Sequence, residues 1–386
     1  MTSTLDPAAS DVPAGPLADI RVIDLSTVIA GPQCARYLAD FGADVIKVER
    51  TGVPDTSRNM GWINAADGDA LWWKWVGRNK RCIELNLKDA VDKDVLLQLI
   101  DTANVLIENF RPGKLEALGL APEVLLERNP TLVIVRVSGF GQSGPYRDKP
   151  GFASIAEALS GFAAINGSPE DGPSPPPIAL TDDVTGLAAA FSTMVALHSG
   201  VGQVVDVSLI DSIAHMMGPL MSVYKQSGYL QPQMGSQLPY TVPRGSYKTR
   251  DGKWVVVSAS SDSVGRRVMA MLGKGDDPRV QTFAGRIEHR DEVHKAMQDW
   301  TAAHTEAEVI AAFDAAQAAV APVFTMADID ADPHYQDRRV YQEVDGITMQ
   351  GLIARLSRTP GRIKWAGRRR GADTAEILNE LQLRNE

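Results

Sequence analysis

The sequence predicts an α/β fold, with a larger domain built on a parallel sheet and a smaller α+β domain after it. Three observations carry this. Short β-branched runs alternate with helical patterns through the first half of the chain. The character changes near residue 230, where "QPQMGSQLPYTVPRG" is a loop rich in Gln, Pro and Gly, as at a domain boundary. And 386 residues are more than one hydrophobic core organises.

"IRVIDL" (20–25) reads as a buried strand, "PQCARYLADFG" as a helix with Pro32 in its first turn and Gly42 at its end, and "ADVIKVER" (43–50) as the next strand. That βαβ unit is the signature of a parallel sheet. Strands "RCIELNL" (81–87), "NVLIENF" (104–110), "TLVIVRVSGF" (131–140) and "QVVDVSL" (203–209) continue it. Helices are expected over "AVDKDVLLQLIDTA", 154–165 and 185–198, and a long apolar one over "DSIAHMMGPLMSVYKQSG". In the smaller domain "GSYKTRDGKWVVVSAS" reads as a hairpin turning at Asp251-Gly252, followed by helices over 263–273, 290–304 and 305–317 and the strand "APVFTM" (321–326). The predicted organisation is an extended polar arm (1–16), a large domain (17–228), a small α+β domain (229–326) and a C-terminal segment (327–386) that returns to the first.

Composition excludes several classes of function. Hydrophobic residues make up 44% and charged residues 23%, ordinary for a globular protein. A net charge of −9 argues against nucleic acid or an anionic membrane as a partner. Two cysteines, Cys34 and Cys82, make no disulfide framework, and no histidine or cysteine spacing suits a metal. The N-terminus has no apolar core of a signal peptide, and no run reaches the ~18 apolar residues of a membrane span, so the expected location is the cytoplasm.

A dinucleotide-binding fold, with Glu49 on the ribose, is the first candidate for a chain beginning in this way. It needs G-x-G-x-x-G between strand and helix, and "LSTVIAGP" has one glycine. "GVGQVV" (200–205) has two of the three and precedes a strand. Basic and polar residues instead gather at predicted strand ends: Arg50, "GRNKRCIELNLK", "ENFRPGKLEALGL" and "SGFGQSGPYRDKPGF". Ligands of open α/β sheets bind there, so Lys80, Arg81, Lys88, Arg50 and Arg111 are candidates to surround a phosphorylated ligand. A second feature is the pair Asp182-Asp183 before an Ala-rich run. Its ordinary reading is a helix N-cap.

These stretches, with "DDVTGLAAA" and "GQVVDVSLIDS", resemble the family III coenzyme A-transferases, the group of formyl-CoA, carnitine and bile-acid CoA-transferases, over residues 17–215 and more loosely through the tail. The resemblance implies a Rossmann-like large domain, a smaller second domain and an interlocked homodimer. It implies an enzyme that moves CoA between an acyl-CoA and a small carboxylic acid, with CoA as substrate rather than tightly bound cofactor. Asp182, four residues before Gly186, is then the expected nucleophile, and Asp183 a helix-end or structural carboxylate. CoA contacts are expected at Val28, Arg50, Leu85, Lys88, Asn109, Phe110 and Arg111. Two departures stand out. Formyl-CoA transferase has an arginine where this chain has Ala117, so Lys114 is the candidate replacement, and its glycine-rich active-site loop has no counterpart in "YTVPRGSYKTRDGKWV".

The same family holds 2-methylacyl-CoA racemases, which use a His in a "GHD"-like stretch. Here Phe152 and Ala153 stand there, and a phenyl ring accepts no proton. A non-catalytic acyl-CoA-binding protein is the alternative from another class. The acceptor acid is not legible in the sequence.

Overall fold

The computed structural model describes residues 15–385 except residue 260, so the predicted arm lies outside the described residues apart from its last two positions. The described residues form two compact units. The first comprises residues 15–160, 176–218 and 338–385, the second 161–175 and 219–337.

The first unit is organised by a six-stranded, all-parallel sheet: β1 (Arg21–Asp24), β2 (Asp44–Glu49), β3 (Lys80–Glu84), β4 (Val105–Glu108), β5 (Val133–Ser138) and β6 (Gln203–Ser208). Their order is β3-β2-β1-β4-β5-β6. The order reverses direction between β1 and β4, and in such sheets that crevice is where ligands bind. Ile23, Ile46, Ile83, Leu106 and Ile134 are buried in one core, as strands covered on both faces require.

Two helices of this unit pack against each other, Ala30–Asp40 after β1 and Leu180–Ser199 before β6. They approach closely because Gly186 has no side chain. A Cβ there would lie 2.7 Å from the Gln33 Cβ and 2.9 Å from the Ala30 carbonyl oxygen. Ala189, Thr193 and Ala196 continue the buried stripe.

Several expected helices differ in extent. The helix predicted over 154–165 is two, Ala153–Leu159 and Phe162–Ile165, broken where Gly161 adopts φ +88°. The long apolar helix is Leu209–Met216 and Leu220–Ser227, interrupted at Gly218-Pro219. The Ala-rich helix starts five residues early, with Ala179 at the N-cap and no side-chain cap. Both aspartates therefore lie inside its first turn.

The second unit contains the antiparallel sheet β7 (Arg244–Lys248), β8 (Trp254–Ser258) and β9 (Ala319–Pro322). The hairpin turns at Gly252, as expected, over a core that includes Val255, Val257, Met297 and Phe313. The last strand ends at Pro322, short of the predicted Met326. Thr325 and Asp328 form a capping box that starts the helix Met326–Ala331.

Candidate active site

Two adjoining cavities open at the C-terminal ends of the parallel strands. One, of about 350 Å³, is lined by Arg50, Leu85, Lys88, Phe110 and Lys114. The other, of about 250 Å³, is lined by Val28, Asn109, Phe110, Arg111 and Asp182. Thr27 and Phe110 line both, and they follow β1 and β4, the two strands flanking the reversal of order. All eight residues expected at the site thus gather around one crevice.

The charges there fall into two kinds. Arg50, Lys88, Lys114 and Arg111 are exposed, and among the described residues none has an ion pair. Beneath them lies a buried, compensated set. Lys80 Nζ donates to Asp24 Oδ2 at 2.8 Å, and Lys47 Nζ lies 3.1 Å from Asp55 Oδ2. Burial alone pushes the Asp24 carboxyl up, but Lys47 and Lys80 hold it below the usual range. Asp55 is likewise held low, by Lys47 and the Ser57 hydrogen bonds, against its own burial.

This buried set shapes the loop after β1. Lys47 donates to the Ser26 carbonyl, and Val28 N donates to Asp55 Oδ1 at 3.2 Å. Asn109 clasps Thr27 from the other side: its Oδ1 accepts from Thr27 N at 2.8 Å and its Nδ2 donates to Thr27 O at 2.7 Å. Val28 is held at φ +70°, a conformation a β-branched residue adopts only under such constraint. The loop is a preset wall of the second cavity.

Asp182 occupies the first turn of the Leu180–Ser199 helix and is mostly buried. Among the described residues no group donates a hydrogen bond to its carboxylate. Burial, then the neighbouring Asp183 and Glu157 charges, push its carboxyl up to about 6. The helix N-terminus opposes this by about 0.3–1 kcal/mol in favour of the anion. Asp183 is different. Gln33 Nε2 donates to its Oδ1 at 2.7 Å, and Gln33 leads through Arg36 to Asp40. Burial raises the Asp183 carboxyl, with Gln33 and Arg36 opposing. It lines neither cavity.

The family model described as CoA-transferase family III matches residues 17–374. The chain belongs to this family. It is an enzyme with CoA-transferase activity, and its substrates are CoA thioesters. It is 37% identical to the succinyl-CoA–D-citramalate CoA-transferase of Chloroflexus aurantiacus, over 97% of this chain and 96% of that one. The succinate–glutarate CoA-transferase of Agrobacterium fabrum is 33% identical over 95% and 96%. A crystal structure of a CAIB/BAIF family protein from Brucella suis superposes with a TM-score of 0.84 at 26% identity, covering 96% of this chain and 100% of that one.

For a family III CoA-transferase, two of the phosphate candidates read from sequence are misplaced. Lys80 lies at the start of β3, is fully buried and serves Asp24 and the Pro32 carbonyl. Arg81 is bound to Asp44 and Glu380. Neither lines either of the two cavities, because both precede the strand's carboxyl end. Glu49, the ribose candidate of a dinucleotide fold, is engaged by Arg58 at 2.6 and 2.9 Å. Phe152 does line the second cavity beside Asp182. Sequence reasoning missed Glu157, which is buried and accepts from Thr181 Oγ1 at 2.8 Å. Its signal was a lone acid inside the apolar run "SIAEALSG". The two buried thiols are no rival nucleophiles, since burial pushes Cys34 and Cys82 up to about 12.

Proposed function

We propose that this transferase works through Asp182, with CoA lying along the crevice between the two cavities. Arg50, Lys88 and Lys114 would meet the phosphates of the nucleotide, Leu85 and Phe110 would flank the chain, and Asn109, Arg111 and Val28 would border the thioester. The observation that carries the reading is the state of Asp182, a carboxylate without a hydrogen-bond donor among the described residues, opening into a cavity that shares walls with one lined by cations that have no ion pair among them.

The chemistry is balanced at each step. The Asp182 carboxylate attacks the thioester carbonyl, the C–S bond breaks, and CoA thiolate leaves a mixed anhydride behind. The thiolate attacks the aspartyl carbonyl and releases the donor acid as its carboxylate, forming an aspartyl-CoA thioester. The acceptor carboxylate attacks this thioester, the C–S bond breaks, and a second mixed anhydride forms with release of the thiolate. The thiolate then attacks the acceptor's carbonyl, giving the new acyl-CoA and freeing the Asp182 carboxylate. Four easy acyl transfers replace one difficult exchange. No proton moves, so no general base is required. Helix N–H groups beside Asp182 are suited to the developing oxyanions.

The relatives named for succinyl-CoA make that thioester the donor to examine first. An interlocked homodimer in the cytoplasm completes the proposal. Its support is the exposed apolar face of the Leu180–Ser199 helix, where Phe191 is 71% accessible, and the two free buried thiols. The test is to trap the enzyme in turnover with hydroxylamine or borohydride and map the modified peptide by mass spectrometry. A label on Asp182 supports the mechanism; a label on Asp183, or full activity in Asp182→Asn, refutes it.

A further inference from the structure

We propose that Arg147 and Lys149 form a subsite for the far carboxylate of a dicarboxylic acyl group, making the enzyme selective for dicarboxylates; this rests on Asp182 being the nucleophile. CoA carries its charge at one end. Its phosphates lie at the nucleotide end, while the pantetheine arm and the thioester are neutral. Cations in the first cavity therefore have an obvious counterpart. The second cavity holds the proposed nucleophile, and through every step of the mechanism a monocarboxylic substrate leaves it a single negative charge, on Asp182, the thiolate or the reacting carboxylate. Yet Arg147 and Lys149 line it together with Arg111, three cations to one carboxylate. A second carboxylate on the substrate is the group that matches this excess.

The two cations stand on a built platform, the loop between β5 and the Ala153–Leu159 helix. Its ends cross in backbone contact: a Cβ on Gly139 would lie 2.8 Å from the Gly151 Cα. Gly141 N donates to Ser138 Oγ and Gln142 N to Asp206 Oδ2, each at 2.9 Å, tying the loop to β5 and β6. Inside it the Phe140 and Tyr146 rings meet edge to face at 5.7 Å, and Lys149 Nζ sits 3.7 Å from the Tyr146 ring centre. Arg147 pairs among the described residues only with its neighbour Asp148, at 3.3 Å, with both side chains largely in solvent. Such a pair is weak, so the guanidinium is available to a substrate.

The test uses the full chain and needs no knowledge of the natural acceptor. Exchange of labelled succinate into succinyl-CoA is compared with exchange of labelled butyrate into butyryl-CoA, for the wild type and for Arg147→Gln, Lys149→Gln and the double variant. The wild type should prefer the succinyl pair. The double variant should lose about 10–100-fold in succinate exchange, the worth of a charge-assisted contact, while butyrate exchange falls far less. Arg147→Lys should retain most of the preference, which a merely structural role would not predict. A wild type without preference for the dicarboxylate, or variants in which both exchanges fall together, would overturn the subsite alone. Failure of either thioester to label Asp182 in the wild type would instead remove the mechanism beneath it, and the subsite with it.

Discussion

Asp182→Asn should abolish transfer and at the same time stabilise the fold. The Asp182 carboxyl is raised from an ordinary 3.8 to about 6, chiefly by burial and further by Asp183 and Glu157. A folded-state value above the unfolded one means that the native chain keeps its proton longer. Stability therefore falls as pH rises from about 4 to about 6 and is level above that. The shift of about two pH units corresponds to a ceiling of about 3 kcal/mol of cost at neutral pH. Some solvent reaches the side chain, so about 2 kcal/mol is the expected gain in the amide variant. At about 2 °C per kcal/mol for a folding unit this large, the melting temperature at pH 8 should rise by about 4 °C. That discount also covers the helix N-terminus, which favours the anion by about 0.3–1 kcal/mol; no described group donates to the carboxylate. Thermal scans of both proteins between pH 4.5 and 8 check this, with activity assayed in parallel. The gap between the two melting curves should open up to about pH 6 and then stay constant. In the wild type, acylation should fall below the same pH, as the proposed nucleophile takes up its proton. An Asn variant that is no more stable at pH 8, or a gap that does not change with pH, would refute the reasoning.

Three further outcomes are expected. Arg50→Ala should weaken acyl-CoA binding by about 1.5–3 kcal/mol in calorimetry, with the fold intact, because Arg50 is exposed and has no ion pair among the described residues. Asp55→Ala should cost about 3–5 kcal/mol in denaturant unfolding, since it leaves the buried Lys47 ammonium short of a partner and frees the Val28 turn. With 2-methylacyl-CoA esters the enzyme should incorporate no solvent deuterium at the α-carbon, because the side chain lining the cavity beside Asp182 is Phe152, which accepts no proton; enzyme-dependent incorporation would count against the assignment.

The parallel sheet was legible because strands covered on both faces must be continuous apolar runs, and "VIVRV" or "VLIE" have few other uses. What the sequence hid was the destination of its charges. Lys47 inside "DVIKVE" and Lys80 at the head of "KRCIE" look alike in sequence. Only the register shows that one underlies the cavity and the other is spent on Asp24. Arg81 likewise reads as a phosphate ligand in the sequence, because its partner Glu380 lies 299 residues away. The helix breaks at Gly161 and Gly218 escape sequence reading for a different reason. Each carries its own turn signal, Ser160-Gly161 and Gly218-Pro219, but the apolar pattern continues across it, and periodicity alone reads one helix.

In the Asp182-Asp183 pair, the helix-end position and the proposed catalytic role of the motif are compatible. Neither residue is the N-cap, which is Ala179, but both lie in the first turn, where the helix favours an anion. Burying two adjacent carboxylates is costly, and the fold meets the cost on one side only. Gln33 and Arg36 reach Asp183 from the packed helix, an approach that Gly186 permits by having no side chain. Asp182 faces the cavity without such help and carries the raised proton affinity of a carboxylate crowded by its neighbours. A carboxylate that binds a proton more tightly is also the better nucleophile, and its acylation removes the charge that Asp183 and Glu157 oppose. If Asp182 is the nucleophile, as proposed, the same crowding that makes it expensive to bury favours the covalent state over the resting one. Asp183, already hydrogen-bonded and turned away from both cavities, has neither the access nor the driving force to replace it.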